Sequence, residues 1–297
     1  MKHSLPILAA AAMLALADGP HYSVSPSSPP VGATADGETL IHQVAQQMAV
    51  QAAFQAQLKQ HVELFGQRLS GVGVYRQKAS TRGLLVRLDW EVQVGDRTAS
   101  VQHISNGRFL WIRRDLFDEP VLERVDLDRA RAALSRQPLH APPTSLANDL
   151  AILGLPHLLE RLVHFYRFDT PRAARLGDRP VWVVEGQWNL PEHPEPSDTR
   201  PKNHDALLPQ LPTHVRVVIF QQDLTLRRIE YLCVAPDKRA KILDDHDVHH
   251  RTISVIEIAE SSLEDLDEGL FVPPSDVQQV VDHTQQYLHY IRPRTSD

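Results

Sequence analysis

One stretch limits what this chain can become more than any other. From Val86 to Val94, apolar Val86, Leu88, Trp90, Val92 and Val94 alternate with polar Arg87, Asp89, Glu91 and Gln93. A period of two is that of a β-strand with one dry face and one wet face. Gly95-Asp96-Arg97 turns the chain into Thr98 to Ile104. Asn106-Gly107, the dipeptide best suited to a tight hairpin turn, then leads into Phe109 to Arg113. Val181 to Trp188, Val215 to Gln221, Leu224 to Val234 and Thr252 to Ile258 read as further strands, with Gly177-Asp178 and Gln222-Asp223 as turns. Consecutive strands joined by short turns predict an antiparallel meander.

Helices interrupt the meander. Asp36 is a candidate N-cap for a long helix starting near Glu38. Ile41, Val44, Met48 and Ala52 recur at helical spacing, and Phe54, Leu58, Val62, Phe65 and Leu69 continue on a shifted stripe opposite a glutamine-rich face. The pattern predicts one amphipathic helix of roughly thirty residues. A coiled-coil arm is the weaker alternative, since no heptad is sustained. Leu127 to Leu134 reads as a short helix. Ser145 caps another over Leu146 to Leu153, Gly154 stops it, and Pro156 opens a third that carries Leu158, Leu159 and Leu162. Pro191 to Pro212 reads as a long polar loop.

The fold class expected is α+β: one curved antiparallel sheet with helices against its inner face. Leu110-Trp111-Ile112 and Val217-Val218-Ile219-Phe220 are apolar on both faces, so helices or a ligand should cover them.

At the start of the chain, Lys2 and His3 precede an apolar run from Leu5 to Ala17 that ends in Ala15-Leu16-Ala17. This is the pattern of a cleaved secretory signal over residues 1–17. Residues 18–36, rich in proline and serine, read as a flexible tether, and residues 37–297 as one domain. Cys233 is the sole cysteine in the sequence, which excludes an intrachain disulfide and a Cys-rich zinc site. The formal charge of −6 does not suggest a nucleic-acid partner.

The sequence carries no G-x-S-x-G, H-E-x-x-H, Walker or G-x-G-x-x-G motif. Cys233 lies in an apparent strand and reads as a buried, inert thiol. The run from Asp244 to His250 is the one place with metal-ligand chemistry, through His246, His249 and His250. Adjacent residues on an extended chain do not converge on one ion, so a solvated turn is the simpler reading. Trp90, Trp111, Trp182 and Trp188 all fall in expected strands, where they build either a plain core or the wall of an apolar concavity.

The order of these elements resembles the outer-membrane lipoprotein carriers, the LolA-like family. Ser105 to Trp111 looks like that family's hairpin, and Leu176 to Trp188 like its central hairpin. Leu211 to Tyr231 is similar to its next strand pair, and Gly269 to Pro274 to its closing segment. The elongated members of planctomycete-like bacteria are the nearest in style. The resemblance implies an unclosed β-barrel with an α-helical lid over an apolar cavity. It also implies a soluble, non-enzymatic periplasmic carrier of lipid or lipoprotein acyl chains that needs no cofactor. Inner- and outer-membrane lipoprotein-sorting proteins would be its partners. The cavity candidates are Val86, Leu88, Trp90, Val92, Trp111, Leu158, Leu159, Trp182 and Trp188. Two rivals stand beside this: an envelope sensor of the same fold that binds a lipid or protein partner, and a metal-dependent enzyme built on the three histidines.

Overall fold

The computed structural model describes residues 36–64, 67–94, 96–116, 120–134, 146–189, 212–234, 250–276 and 279–291. The expected signal, nearly all of the tether, the loop over 191–211 and the turn that carries His246 and His249 lie outside them.

Helix α1 spans Gly37–Ala49, with Asp36 as its N-cap: the Thr39 backbone N–H donates to the Asp36 carboxylate at 2.7 Å. That bond holds the Asp36 carboxyl below its ordinary range. The expected thirty-residue helix is corrected here. After Val50, β1 (Ala53–Leu64) and β2 (Gln67–Ser80) form a long antiparallel hairpin, paired from Ala53–Lys78 to Leu64–Gln67. Phe54, Ala56 and Leu58 are buried, while Gln55, Gln57 and Lys59, which alternate with them, are half-buried or exposed. The true period is therefore two. Phe54, Leu58 and Val62 are four apart, a spacing that satisfies a strand and a helix equally.

Strands β3 (Gly83–Val94), β4 (Arg97–Ser105) and β5 (Phe109–Asp115) follow as expected, and β6 (Val121–Asp126) extends the run. Helix α2 covers Leu127–Leu134. Helix α3 covers Leu146–Phe165 and breaks at Gly154, whose φ of 77° and ψ of 170° only glycine adopts readily. An added Cβ there would collide with Leu84 and lie 3.2 Å from the Tyr75 hydroxyl. Pro156 begins the second half.

Strands β7 (Tyr166–Phe168), β8 (Arg172–Leu176), β9 (Arg179–Trp188), β10 (His214–Phe220), β11 (Leu226–Val234) and β12 (His250–Ser262) complete the main sheet. A 3-10 turn (Glu268–Phe271), β13 (Val280–Asp282) and α4 (Thr284–Ile291) close the chain.

The result is one unclosed curved sheet in the order β13-β6-β5-β4-β3-β2-β1-β12-β11-β10-β9-β7, with β8 also on β9. Among the described residues every pairing is antiparallel except β13 with β6. The α+β class expected from sequence is the class observed.

One face of the first apolar run and both faces of the second are covered within the fold. Leu110 and Ile112 pack with Leu127 and Ala130 of α2 and with Ala151 and Ile152 of α3. Val217 and Ile219 join the main core, while Val218 packs on the other face with Ala174, Val181 and Val183.

Candidate functional site

Residues paired directly across an antiparallel sheet share a face. One inner row runs Ala56, Tyr75, Leu88, His103, Ile112, and another runs Leu58, Gly73, Trp90, Val101. Gly73 leaves room for the Trp90 ring, since an added Cβ would lie 2.7 Å from it. From the far side of the curve, Val184, Val215, Val217, Ile219, Ile229 and Tyr231 join the same cluster. Between these walls lie α1, through Leu40, Ile41, Val44 and Met48, and the second half of α3, through Leu155, Leu158, Leu159 and Leu162. The concavity is thus filled by the protein's own helices, which pack on each other and are bridged outside the core by a 2.8 Å contact between the His42 ring and the Glu160 carboxylate.

A buried polar relay ties both helices to β2. The Tyr75 hydroxyl accepts from the Leu155 backbone N–H at 3.1 Å, just past the Gly154 break, and donates to Gln77 Oε1 at 2.7 Å. Gln77 Nε2 donates to the Met48 carbonyl in the last turn of α1 at 3.3 Å. Burial pushes the Tyr75 phenol far above its ordinary range, against a smaller lowering by the Leu155 bond, so it stays neutral. Burial likewise raises Tyr166, which donates to the Pro212 carbonyl.

At the end of the sheet where α1 stops, a cavity of about 300 Å³ opens beside this core. Gln47, Met48 and Gln51 line it from the helix side, Phe54 from β1, Asp223 to Leu226 from the β10–β11 turn, and Ser261 to Leu263 from the end of β12. Its apolar floor of Met48, Phe54 and Leu226 belongs to the main core. Gln47 Nε2 donates to the Asp223 carbonyl at 2.9 Å and bridges helix to turn. Leu224 holds a φ of 52°, left-handed backbone that a leucine rarely adopts. The Asp223 carboxylate steadies that turn by accepting from the Thr225 N–H at 3.0 Å. Of the lining residues Leu263 is exposed, as is Val50 in the chain just before Gln51.

The opposite face carries charge. Arg172, Glu185, Arg216, Glu230, Arg228 and Glu257 form an alternating row of ion pairs from β8 to β12. Burial alone would lower the Arg216 guanidinium, but Glu230 and Glu185 outweigh it and the net shift is upward. The row is balanced in sign and so directs no net charge at a partner.

The candidates named from sequence fall unevenly. Val86, Leu88, Trp90, Leu158 and Leu159 meet in the main core, and Trp182 and Trp188 pack against it half-buried. Val92 continues the Trp90 face and is half-buried. Trp111 is the correction. It pairs with Ile104, whose partner is Arg87, and so points to the opposite face from Leu88, where it packs against Phe109. None of the nine lines the cavity. The lining residues carry no motif, and only the glutamine-rich helix face and the Gln222-Asp223 turn hinted at them. His246 and His249 lie outside the described residues, as does the side chain of His250, which opens β12. Among the described residues no three His, Cys, Asp or Glu side chains gather as a metal site.

No protein-family model and no curated protein matches the chain. Among solved structures, it is similar to a DUF1329 family protein from Desulfovibrio piger, with a TM-score of 0.35 and 11% identity over 80% of this chain and 98% of that one. It is also similar to an outer membrane lipoprotein-sorting protein domain from Vibrio parahaemolyticus, with a TM-score of 0.31 and 12% identity over 77% of this chain and 95% of that one. The architecture described above rests on this chain's own strand pairing.

Proposed function

We propose that this chain is a non-enzymatic periplasmic carrier. It would shelter an acyl chain, of a lipoprotein or another lipid, between sheet and helices on the way towards the outer membrane. Residues 37–297 would act as one domain, released by cleavage after Ala17, with membrane-bound sorting proteins as donor and acceptor. The observation that carries the reading is the plug: two helices fill the concavity almost wholly by apolar contact, with a cavity open at the end of one of them. The sequence resemblance set out above points the same way. Each buried CH₂ contributes about 0.8 kcal/mol, so a chain of some sixteen carbons gains on the order of 10 kcal/mol before association costs. That is enough to compete with a helix face for the same wall.

A fluorescent acyl-chain probe tests it. The mature protein should bind the probe saturably, and long-chain lipid should displace it. Affinity should change by no more than about twofold between low and high salt, since apolar burial is not screened. Tryptophan emission should shift as well, because Trp90, Trp182 and Trp188 contact the main core. If no probe length gives a saturable signal, the interior is a plain core and the carrier reading fails.

A further inference from the structure

The cavity at the end of α1 has a hydrogen-bonding polarity of its own, and from it we infer the head group of the cargo. The inference rests on the carrier reading and adds a chemical class to it: an amphiphile whose head donates hydrogen bonds and carries no negative charge, such as an alcohol, a glyceride or an amide.

Among the described residues no lysine, arginine or histidine lines the cavity, and the one ionisable lining residue is the acidic Asp223. Arg179 lies 3.6 Å from that carboxylate, but both side chains are half exposed, so its neutralisation of Asp223 is weakened by solvent. Gln47 Nε2 gives one of its two N–H groups to the Asp223 carbonyl. Gln51 Oε1, by contrast, is a buried acceptor with no hydrogen-bond partner among the described residues. Buried acceptors left without a donor are rare and call for an explanation. The Thr225, Ser261 and Ser262 hydroxyls can turn either way. The lining therefore offers the Asp223 carboxylate and the Gln51 carbonyl oxygen as acceptors, with no cationic side chain among its described residues, above an apolar floor. The left-handed Leu224 at its edge is a strained residue of the kind that persists where function holds it. A donating head would satisfy Gln51 and Asp223 while its tail follows Met48, Phe54 and Leu226 inward. A carboxylate or phosphate head would meet Asp223 with like charge and leave the Gln51 carbonyl oxygen unanswered.

The test compares amphiphiles of one chain length, so that the tail contributions cancel. Monolaurin, laurate and dodecyl phosphate are titrated into the mature protein at pH 8. Monolaurin should bind at least tenfold more tightly than either anion. Asp223→Asn keeps a side-chain oxygen for the Thr225 N–H and should narrow that gap several-fold by strengthening laurate binding. Ser261→Trp, at an exposed strand position, should block monolaurin without disturbing the fold, as checked by circular dichroism. Equal or tighter binding of laurate overturns the head-group assignment and leaves the carrier reading standing. Full binding by folded Ser261→Trp places the ligand elsewhere and overturns the assignment too. If none of the three amphiphiles binds, the carrier reading itself fails and takes this inference with it.

Discussion

Tyr75 shows how much one hydroxyl can organise. It sits fully buried on β2 and links the break in α3 to Gln77, and through Gln77 to the end of α1. Replacing it with phenylalanine keeps the ring and strands both the Leu155 N–H and the Gln77 carbonyl in the core. Leaving such groups unsatisfied costs about 1–3 kcal/mol each. Tyr75→Phe should therefore lower the unfolding free energy by about 2–6 kcal/mol, read from the shift of the denaturation midpoint at unchanged slope. Adding Gln77→Leu should cost less than the sum of the two single changes, because one orphan is removed with its partner. Additive losses in a double-mutant cycle would show that the relay does not couple. At this scale the sequence was half informative. Alternation placed Leu88 and Trp90 on the inner face, because five alternating positions fix a parity. Trp111 sits in an apolar run, which carries no parity, and its side was settled only by pairing with β4. Tyr75 and Gln77 could not be found as a pair with their targets, since Leu155 and Met48 are remote in sequence.

Elements were legible where local signals agreed with packing. Asp36 capped α1, Leu127–Leu134 formed α2, and Gly154 with Pro156 broke α3. The β1–β2 hairpin was hidden because its glutamine- and alanine-rich sequence suits helices and its apolar spacing of four suits both periods. Its strand form comes from tertiary pairing with β3 and β12. The closing elements were hidden too: β13 has three residues and docks in parallel on β6, from far along the chain. Beside the β13–β6 ladder and the packing of Tyr287 and Leu288, part of their attachment is an ion pair and so depends on pH. Asp282 accepts from Arg124 at 2.8 Å and from the Thr284 N–H at 3.0 Å, and these bonds, Arg124 first, hold its pKa at about 2. A carboxyl depressed in the folded state stabilises fully above its ordinary value of 3.8 and loses that contribution as pH falls towards 2. Hydrogen exchange in residues 279–291 should accelerate across that window before the main sheet opens. Asp282→Asn should show the faster exchange already at neutral pH, with its pH dependence flattened. Equal protection in both proteins down to pH 2 would remove the anchor role.

For the whole molecule, the sheet order matters most, and it was not readable from any window of sequence. β1 and β12 are nearly two hundred residues apart in the chain and lie side by side, and that junction turns two meanders into one continuous wall around α1 and α3. The walls are held by backbone ladders along their length, whereas the helices are held by apolar contacts, the Tyr75–Gln77 relay and the half-exposed His42–Glu160 pair. Segments with few backbone ties to their surroundings open at lower free energy than ladders do. Since the helices occupy the concavity, a bound chain of twelve or more carbons must take wall contacts from one of them. Under the carrier reading, saturating monolaurin should therefore lower amide protection in α1, or in α3 beyond Gly154, by at least about tenfold, while β1 to β3 and β9 to β12 hold theirs within about twofold. Tyr75→Phe should reach the same helix exchange at lower lipid concentration, because the closed state has lost its tether. A uniform rise in protection over helices and sheet together would mean that the ligand fits without displacing either helix. The plug would then be a permanent core, with binding confined to the cavity beside Gln51 and Asp223.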